Sequence, residues 1–223
     1  MGPQDLTFAD QDPVEPPQLN VRRLGRIPYT EAHALQIDLL SKRASGELPD
    51  QLLLCEHDAL VTIGRSPRSE NRAELEALLD IPVAEVERGG EATWHGPGQL
   101  VAYPIRMLPE GSRDLHAYLR DLESVVIDTL ADFGVEGRRE PGLTGVWVGE
   151  RKIASIGIAV RRWVTWHGVA LNLDNDVRAF GGFHPCGLDA SVMTRLADCL
   201  EVMPDRGVVE ERFEARFRFR FGY

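Results

Sequence analysis

The sequence predicts an α+β fold, with a central, mostly antiparallel sheet flanked by helices. Three observations carry this. Strand-like apolar runs follow one another directly, at 52–55 and 60–63 and again at 145–148, 152–160 and 164–173. Helical periodicity is interspersed irregularly among them, unlike a regular parallel winding. The 223 residues, 43% hydrophobic, suffice for one substantial core and are too few for two comfortable ones.

Residues 1–20 are polar and carry Pro13, Pro16 and Pro17, so a mobile tail is expected there. One domain is expected over 21–223. Thr30 is a reasonable N-cap for a helix over 30–45, with Gly46 as its stop. Two short buried strands follow, then a short helix over 71–79 and a strand over 83–87. The segment 88–99 holds four glycines and Pro97 and reads as a loop whose backbone takes shapes that side chains forbid. A strand resumes at 100–103. The clearest helix has Leu115, Leu119, Leu122, Val126, Leu130 and Phe133 at three- and four-residue spacing, Ser112 or Asp114 as cap and Gly134 as terminator. Gly149-Glu150 reads as the turn of a hairpin, 164–173 as a strand and 191–200 as a helix. At the C-terminus, Val209, Phe213, Phe217 and Phe221 keep a four-residue spacing, which favours a helix over a strand.

The formal net charge of −10 argues against nonspecific nucleic-acid binding, which needs a basic footprint. No apolar run is long enough to span a membrane, and the first residues lack the pattern of a secretory signal. Three cysteines, Cys55, Cys186 and Cys199, are an odd and sparse set, not a disulfide framework. A reducing, cytoplasmic compartment is the simplest expectation. Nothing points to an obligate interface, so a monomer is expected.

Only Lys42 and Lys152 are lysine; every other basic side chain is arginine. A lysine in such a chain invites the question of which property of lysine the site needs. Lysine can lose its proton when buried, whereas arginine effectively cannot.

Cys186 sits between Pro185, which fixes the backbone before it, and Gly187, which leaves room after it. A bulky donor can approach such a thiol, although free cysteine is more often buried and inert. Cys55, in an apolar strand, and Cys199, on an expected helix, read as packing residues. Lys152 opens an apolar strand. Facing an apolar pocket it would serve as a base, and beside a cysteine it would hold a thiolate; the ordinary alternative is a strand-end lysine reaching into water. The glycine-rich loop can line a pocket with exposed amides and bring His95 to a substrate, or it is merely a tight connection. It matches neither common phosphate-binding glycine pattern. His57 and His167 read first as hydrogen-bonded structural residues. His184 and Cys186 lack a second close ligand pair, so no metal is expected there. Arg212, Arg216 and Arg220 form a stripe on the last helix, either a solvated face or a dock for an acidic partner.

These segments together resemble the lipoyl(octanoyl) transferase family, within the biotin/lipoate protein ligase-like superfamily. The resemblance runs in ordered blocks over roughly residues 50–200. It comprises Glu56-His57 with Thr62-Ile63-Gly64-Arg65; Arg88-Gly89-Gly90 through Thr93-Trp94-His95-Gly96-Pro97-Gly98-Gln99-Leu100-Val101 to Tyr103-Pro104; Gly145-Val146-Trp147-Val148 with Lys152-Ile153-Ala154-Ser155-Ile156-Gly157; His167-Gly168-Val169-Ala170-Leu171-Asn172; and Pro185-Cys186-Gly187. Phe183 beside Gly181-Gly182 departs from the family pattern.

The resemblance implies the ligase-like fold and an acyltransferase domain over 21–223. It implies Cys186 as acyl-thioester nucleophile and Lys152 as the residue that activates it or acts as base. It implies a substrate pocket formed by Arg88, Gly89, Gly90, Glu91, Ala92, Thr93, Trp94, His95, Ser155, Ile156, Gly157, Gly168, Val169 and Ala170. The implied donor is octanoyl-acyl carrier protein. The implied acceptors are apo lipoyl domains of 2-oxoacid dehydrogenase complexes and the glycine cleavage H protein, with no cofactor. An ATP-dependent lipoate or biotin ligase on the same fold, a noncatalytic carrier-binding module, and a cysteine hydrolase using Cys186 with His167 or His184 are the alternatives.

Overall fold

The computed structural model describes residues 17–66 and 71–223, with the side chain of Cys186 outside the description. Strands β1 (Leu19–Arg26), β2 (Asp50–Glu56), β6 (Gln99–Ile105), β9 (Val164–Asn172), β8 (Arg151–Arg161) and β7 (Val146–Val148) form one sheet in that spatial order. Only β1 and β2 run parallel; every other neighbouring pair is antiparallel. A smaller sheet has the order β4 (Val83–Glu85), β3 (Leu60–Ile63), β5 (Ala92–His95). The α+β class and the mostly antiparallel sheet are therefore as expected.

Alternation builds two cores on the large sheet. On β2, Leu52 and Leu54 face one side while Leu53 and Cys55 face the other; on β6, Leu100 and Ala102 oppose Val101, Tyr103 and Ile105. Successive strand residues point to opposite faces, so a strand buried on both faces reads as an unbroken apolar run. Helices α3 (Leu115–Ala131) and α4 (Arg206–Phe221) cover the first face, through Leu122, Val126, Leu130, Val209, Phe213 and Phe217. Helix α1 (Tyr29–Ala44) covers the second through Ala32, Leu39 and Leu40. It also provides the crossover that a parallel β1–β2 pair requires. A third core lies on the small sheet, where α2 (Arg72–Leu78) contributes Leu75, which packs with Trp94, Phe180 and Phe183.

Asp114 caps α3 by accepting from the backbone N–H groups of His116 and Ala117, and Gly222 ends α4 in a left-handed conformation. Three expectations need correction. Leu19 and Asn20, placed in the expected tail, begin β1; residues 1–16 lie outside the described residues. The glycine-rich loop contains a strand, β5, paired with β3. The expected helix over 191–200 is instead two single 3₁₀ turns, Ala190–Val192 and Leu196–Asp198. Between these turns, Met193 pairs with Lys152 of β8, and this contact takes the backbone out of helix.

Candidate active site

The two sheets meet at a cleft. Its walls are Thr62, Thr93 and His95 from the small sheet, Val101 and Tyr103 from β6, Ser155 to Gly157 from β8, and His167 to Ala170 from β9, with Tyr29 of α1 and Arg88 at the edge. Period-two alternation explains which β5 residues reach it. Thr93 and His95 face the cleft, whereas Ala92 and Trp94 point into the small-sheet core, Trp94 edge-on to Phe180.

A buried polar chain runs beneath the cleft. The Arg88 guanidinium donates to the Thr62 carbonyl at 2.7 Å and to its hydroxyl oxygen at 2.9 Å. That oxygen already accepts, so its own hydrogen is available to His95 Nε2 at 3.2 Å. His95 Nδ1 then donates to Gln99 Oε1 at 2.8 Å. Gln99 Nε2 donates to Asn172 Oδ1, Asn172 Nδ2 to the Thr194 carbonyl, and the Thr194 N–H to the carbonyl of Lys152, each at 2.9 Å. These directions require neutral His95, and burial, with repulsion from His57 and Arg88, pushes its imidazole down to about 3. His57 is likewise pushed down, chiefly by burial, and lies 2.8 Å from the Tyr103 hydroxyl, which burial pushes well up.

Lys152 is 1% exposed, and its Nζ lies 5.1 Å from the centre of the Trp147 ring. Its side chain passes over Gly145: a Cβ there would sit 2.7 Å from Lys152 Cε, so only glycine fits. The Gly145 N–H is held by buried Glu123, which also binds Arg120 and Arg139. Cys186 lies in a 3₁₀ turn, Pro185–Gly187, packed against β5. Gly187 takes φ 72°, and a Cβ on it would come 2.1 Å from Glu91 Oε2. The glycine-rich loop thus presses a carboxylate onto the cysteine turn, while Met193 and Thr194, a few residues on, are tied to Lys152. The segment carrying Cys186 is anchored at one end to the loop and at the other to the strand of Lys152. The Gly187 amide donates to the His184 carbonyl.

Of the sequence-derived pocket residues, Arg88, Thr93, His95, Ser155, Ile156, Gly157, Gly168, Val169 and Ala170 line the cleft. Gly89, Gly90, Glu91, Ala92 and Trp94 do not. Gly89 instead lies against the interior of β8, donating to the Ile158 carbonyl, and its own carbonyl would lie 2.9 Å from a Cβ on Gly157. Tyr29, Thr62, Val101, Tyr103 and His167 are additional lining residues. Thr62, Val101, Tyr103 and His167 lay inside the resembling blocks, so a signal existed for them; Tyr29 has none in the sequence. Cys55 is fully buried with its thiol pushed up to about 12 by burial, in keeping with a packing role. In the arginine stripe, Arg216 binds Asp132 at the C-terminal end of α3 and Arg220 binds Asp128 of α3, so they fasten helix to helix.

Residues 28–218 match the lipoyl protein ligase A/B catalytic domain family. The octanoyltransferase of Solibacter usitatus is 46% identical over 206 residues, covering 91% of this chain and 93% of that protein. Among solved structures, a bipartite lipoate protein ligase from Thermoplasma acidophilum superposes with a TM-score of 0.68 at 18% identity, covering 91% of this chain and 83% of that one. Biotin protein ligase from Aquifex aeolicus gives 0.58 at 13% identity, covering 91% and 70%. The fold is that of the lipoate and biotin protein ligases. The chain belongs to the lipoyl protein ligase A/B catalytic domain family, and it is an acyltransferase.

Proposed function

We propose that this acyltransferase carries an octanoyl group from octanoyl-acyl carrier protein, through a thioester on Cys186, to the lysine of an apo lipoyl domain. The acceptors would be the lipoyl domains of 2-oxoacid dehydrogenase complexes and the glycine cleavage H protein. The carrying observation is the double anchoring of the cysteine segment, to Glu91 of the glycine-rich loop and to the strand of buried Lys152.

In the first step the Cys186 thiolate attacks the donor carbonyl and the carrier thiol leaves, exchanging one thioester for another in a nearly balanced step. In the second the acceptor amine attacks the enzyme thioester, an amide forms, and the Cys186 thiol is released. The amide is the more stable product, so the donor thioester supplies the driving force and no nucleotide is consumed. Lys152 accepts the proton that the attacking amine sheds. The apolar wall of Val101, Ile156, Val169 and Ala170 suits an alkyl chain, with Arg88, Thr93 and His95 fixing polar atoms at its head.

Paired variants test this. Cys186→Ala should abolish transfer while leaving the folded circular-dichroism spectrum intact. Lys152→Arg keeps a charge but not the base and should slow transfer by about 10²-fold or more. Retained turnover in Cys186→Ala, or full activity in Lys152→Arg, contradicts the respective assignment.

A further inference from the structure

We propose that His33, Glu87 and His167 form a binding site for a late first-row divalent cation of the zinc class. The three come from separate elements: His33 from α1, Glu87 from the segment after β4, and His167 from β9. Glu87 Oε2 lies 3.2 Å from His33 Nε2 and 3.5 Å from His167 Nε2. All three donor atoms lie within 4.8 Å of one another. Metal–ligand bonds of about 2.0–2.1 Å at tetrahedral angles separate neighbouring donors by roughly 3.3–3.5 Å. Both carboxylate–imidazole edges therefore already have close to the length that a bound cation would impose.

A second observation is independent of these distances. His167 is 3% exposed, and its Nε2 is buried without a hydrogen-bond partner. At 3.5 Å the Glu87 carboxylate is within ion-pair reach but does not supply a hydrogen bond of good geometry. An unsatisfied buried nitrogen is costly, and a coordinated cation would satisfy it. The rings are also held in place. Trp166 stacks on His167 at 4.3 Å and lies 5.5 Å from His33, and the His167 backbone N–H donates to Gln36 Oε1 one turn along from His33. Preorganised imidazoles lose little freedom on coordination.

The donor set selects the ion. Two imidazoles and one carboxylate are a three-ligand zinc set that leaves a fourth position open. Nitrogen-rich ligation favours zinc, copper or nickel over magnesium and calcium, which prefer all-oxygen shells. Arg88 turns its guanidinium onto the Thr62 carbonyl, although its charge still bears on His167 and opposes a positive charge there. The site uses neither Cys186 nor Lys152, so it stands or falls separately from the transfer mechanism. Because His167 also lines the cleft, an occupied site would place a cation at the cleft wall.

Cobalt(II) titration of the full chain tests the proposal. One equivalent should produce visible d–d bands without thiolate-to-cobalt charge transfer, and zinc(II) should displace it. The bands should disappear in His33→Ala and in the isosteric Glu87→Gln, and persist in Cys186→Ser. Zinc should raise the melting temperature of the parent protein but not of Glu87→Gln. No bands at one equivalent, bands that survive in both His33→Ala and Glu87→Gln, or bands that vanish in Cys186→Ser would overturn it.

Discussion

Neutral, buried histidines set the pH response of the cleft. His95 and His167 are both pushed down to about 3, first by burial, from an ordinary value near 6.5. In the unfolded chain both would titrate normally. Below pH 6.5 the unfolded state takes up protons that the fold refuses, so their stabilising contribution is complete above 6.5 and is lost as pH falls toward 3. Each adds up to about 1.4 kcal/mol per pH unit across that window. Denaturant midpoints measured between pH 7 and 4 should fall, and His95→Gln should shallow that slope; an unchanged slope would contradict the burial argument. At this scale the sequence spoke through scarcity. A lysine in an arginine-preferring chain pointed to Lys152, and it is almost wholly buried against Trp147. What could not be read was convergence: Tyr29 reaches the cleft only because α1 packs across the sheet, a contact with no local signature.

At the scale of elements, periodicity was legible where burial is one-sided or complete, and illegible where tertiary pairing decides. The spacing of Leu122, Val126 and Leu130 marks α3, and the largely apolar run of β9, interrupted by Thr165 and His167 yet buried throughout, marks a central strand. Edge strand β1 is half polar and bulged between Arg23 and Gly25, so its strand signal is weak and its first two residues read as part of the tail. β5 is four residues long and hemmed by glycines, so turn chemistry outweighed its strand signal. The segment after Cys186 has helical spacing but is held extended at Met193 by Lys152. The cysteine turn itself depends on glycine. Gly187 and Gly142 both take positive φ, 72° and 79°, but a Cβ at Gly142 meets open space whereas one at Gly187 meets Glu91. Alanine at either position should cost roughly 1–3 kcal/mol of strain. Only Gly187→Ala should also slow acyl loading of the enzyme in single-turnover assays; equal loading rates in the two variants would show that the Glu91 contact is immaterial to the turn.

For the whole molecule, the two-sheet architecture explains how a small chain builds a cleft. The large sheet is closed on both faces by helices, and Gln99 of β6 ties the small sheet to it through hydrogen bonds with His95 and Trp94 of β5, leaving the cleft between them. Among the described residues no helix is long and apolar enough to cross a membrane. The net charge of −10 leaves little room for a general basic docking surface, and the stripe on α4 that sequence offered for this purpose is largely spent on α3. Recognition of the donor would then rest on the cleft and its rim rather than on bulk charge. The central claim is covalent transfer through Cys186. Its most direct test is an intact-protein mass spectrum after mixing enzyme with octanoyl-acyl carrier protein, without nucleotide, followed by a chase with apo lipoyl domain. The account predicts one octanoyl group on Cys186 that disappears as the lipoyl domain gains it. No adduct without nucleotide, together with acceptor modification once ATP and free octanoate are supplied, would contradict it.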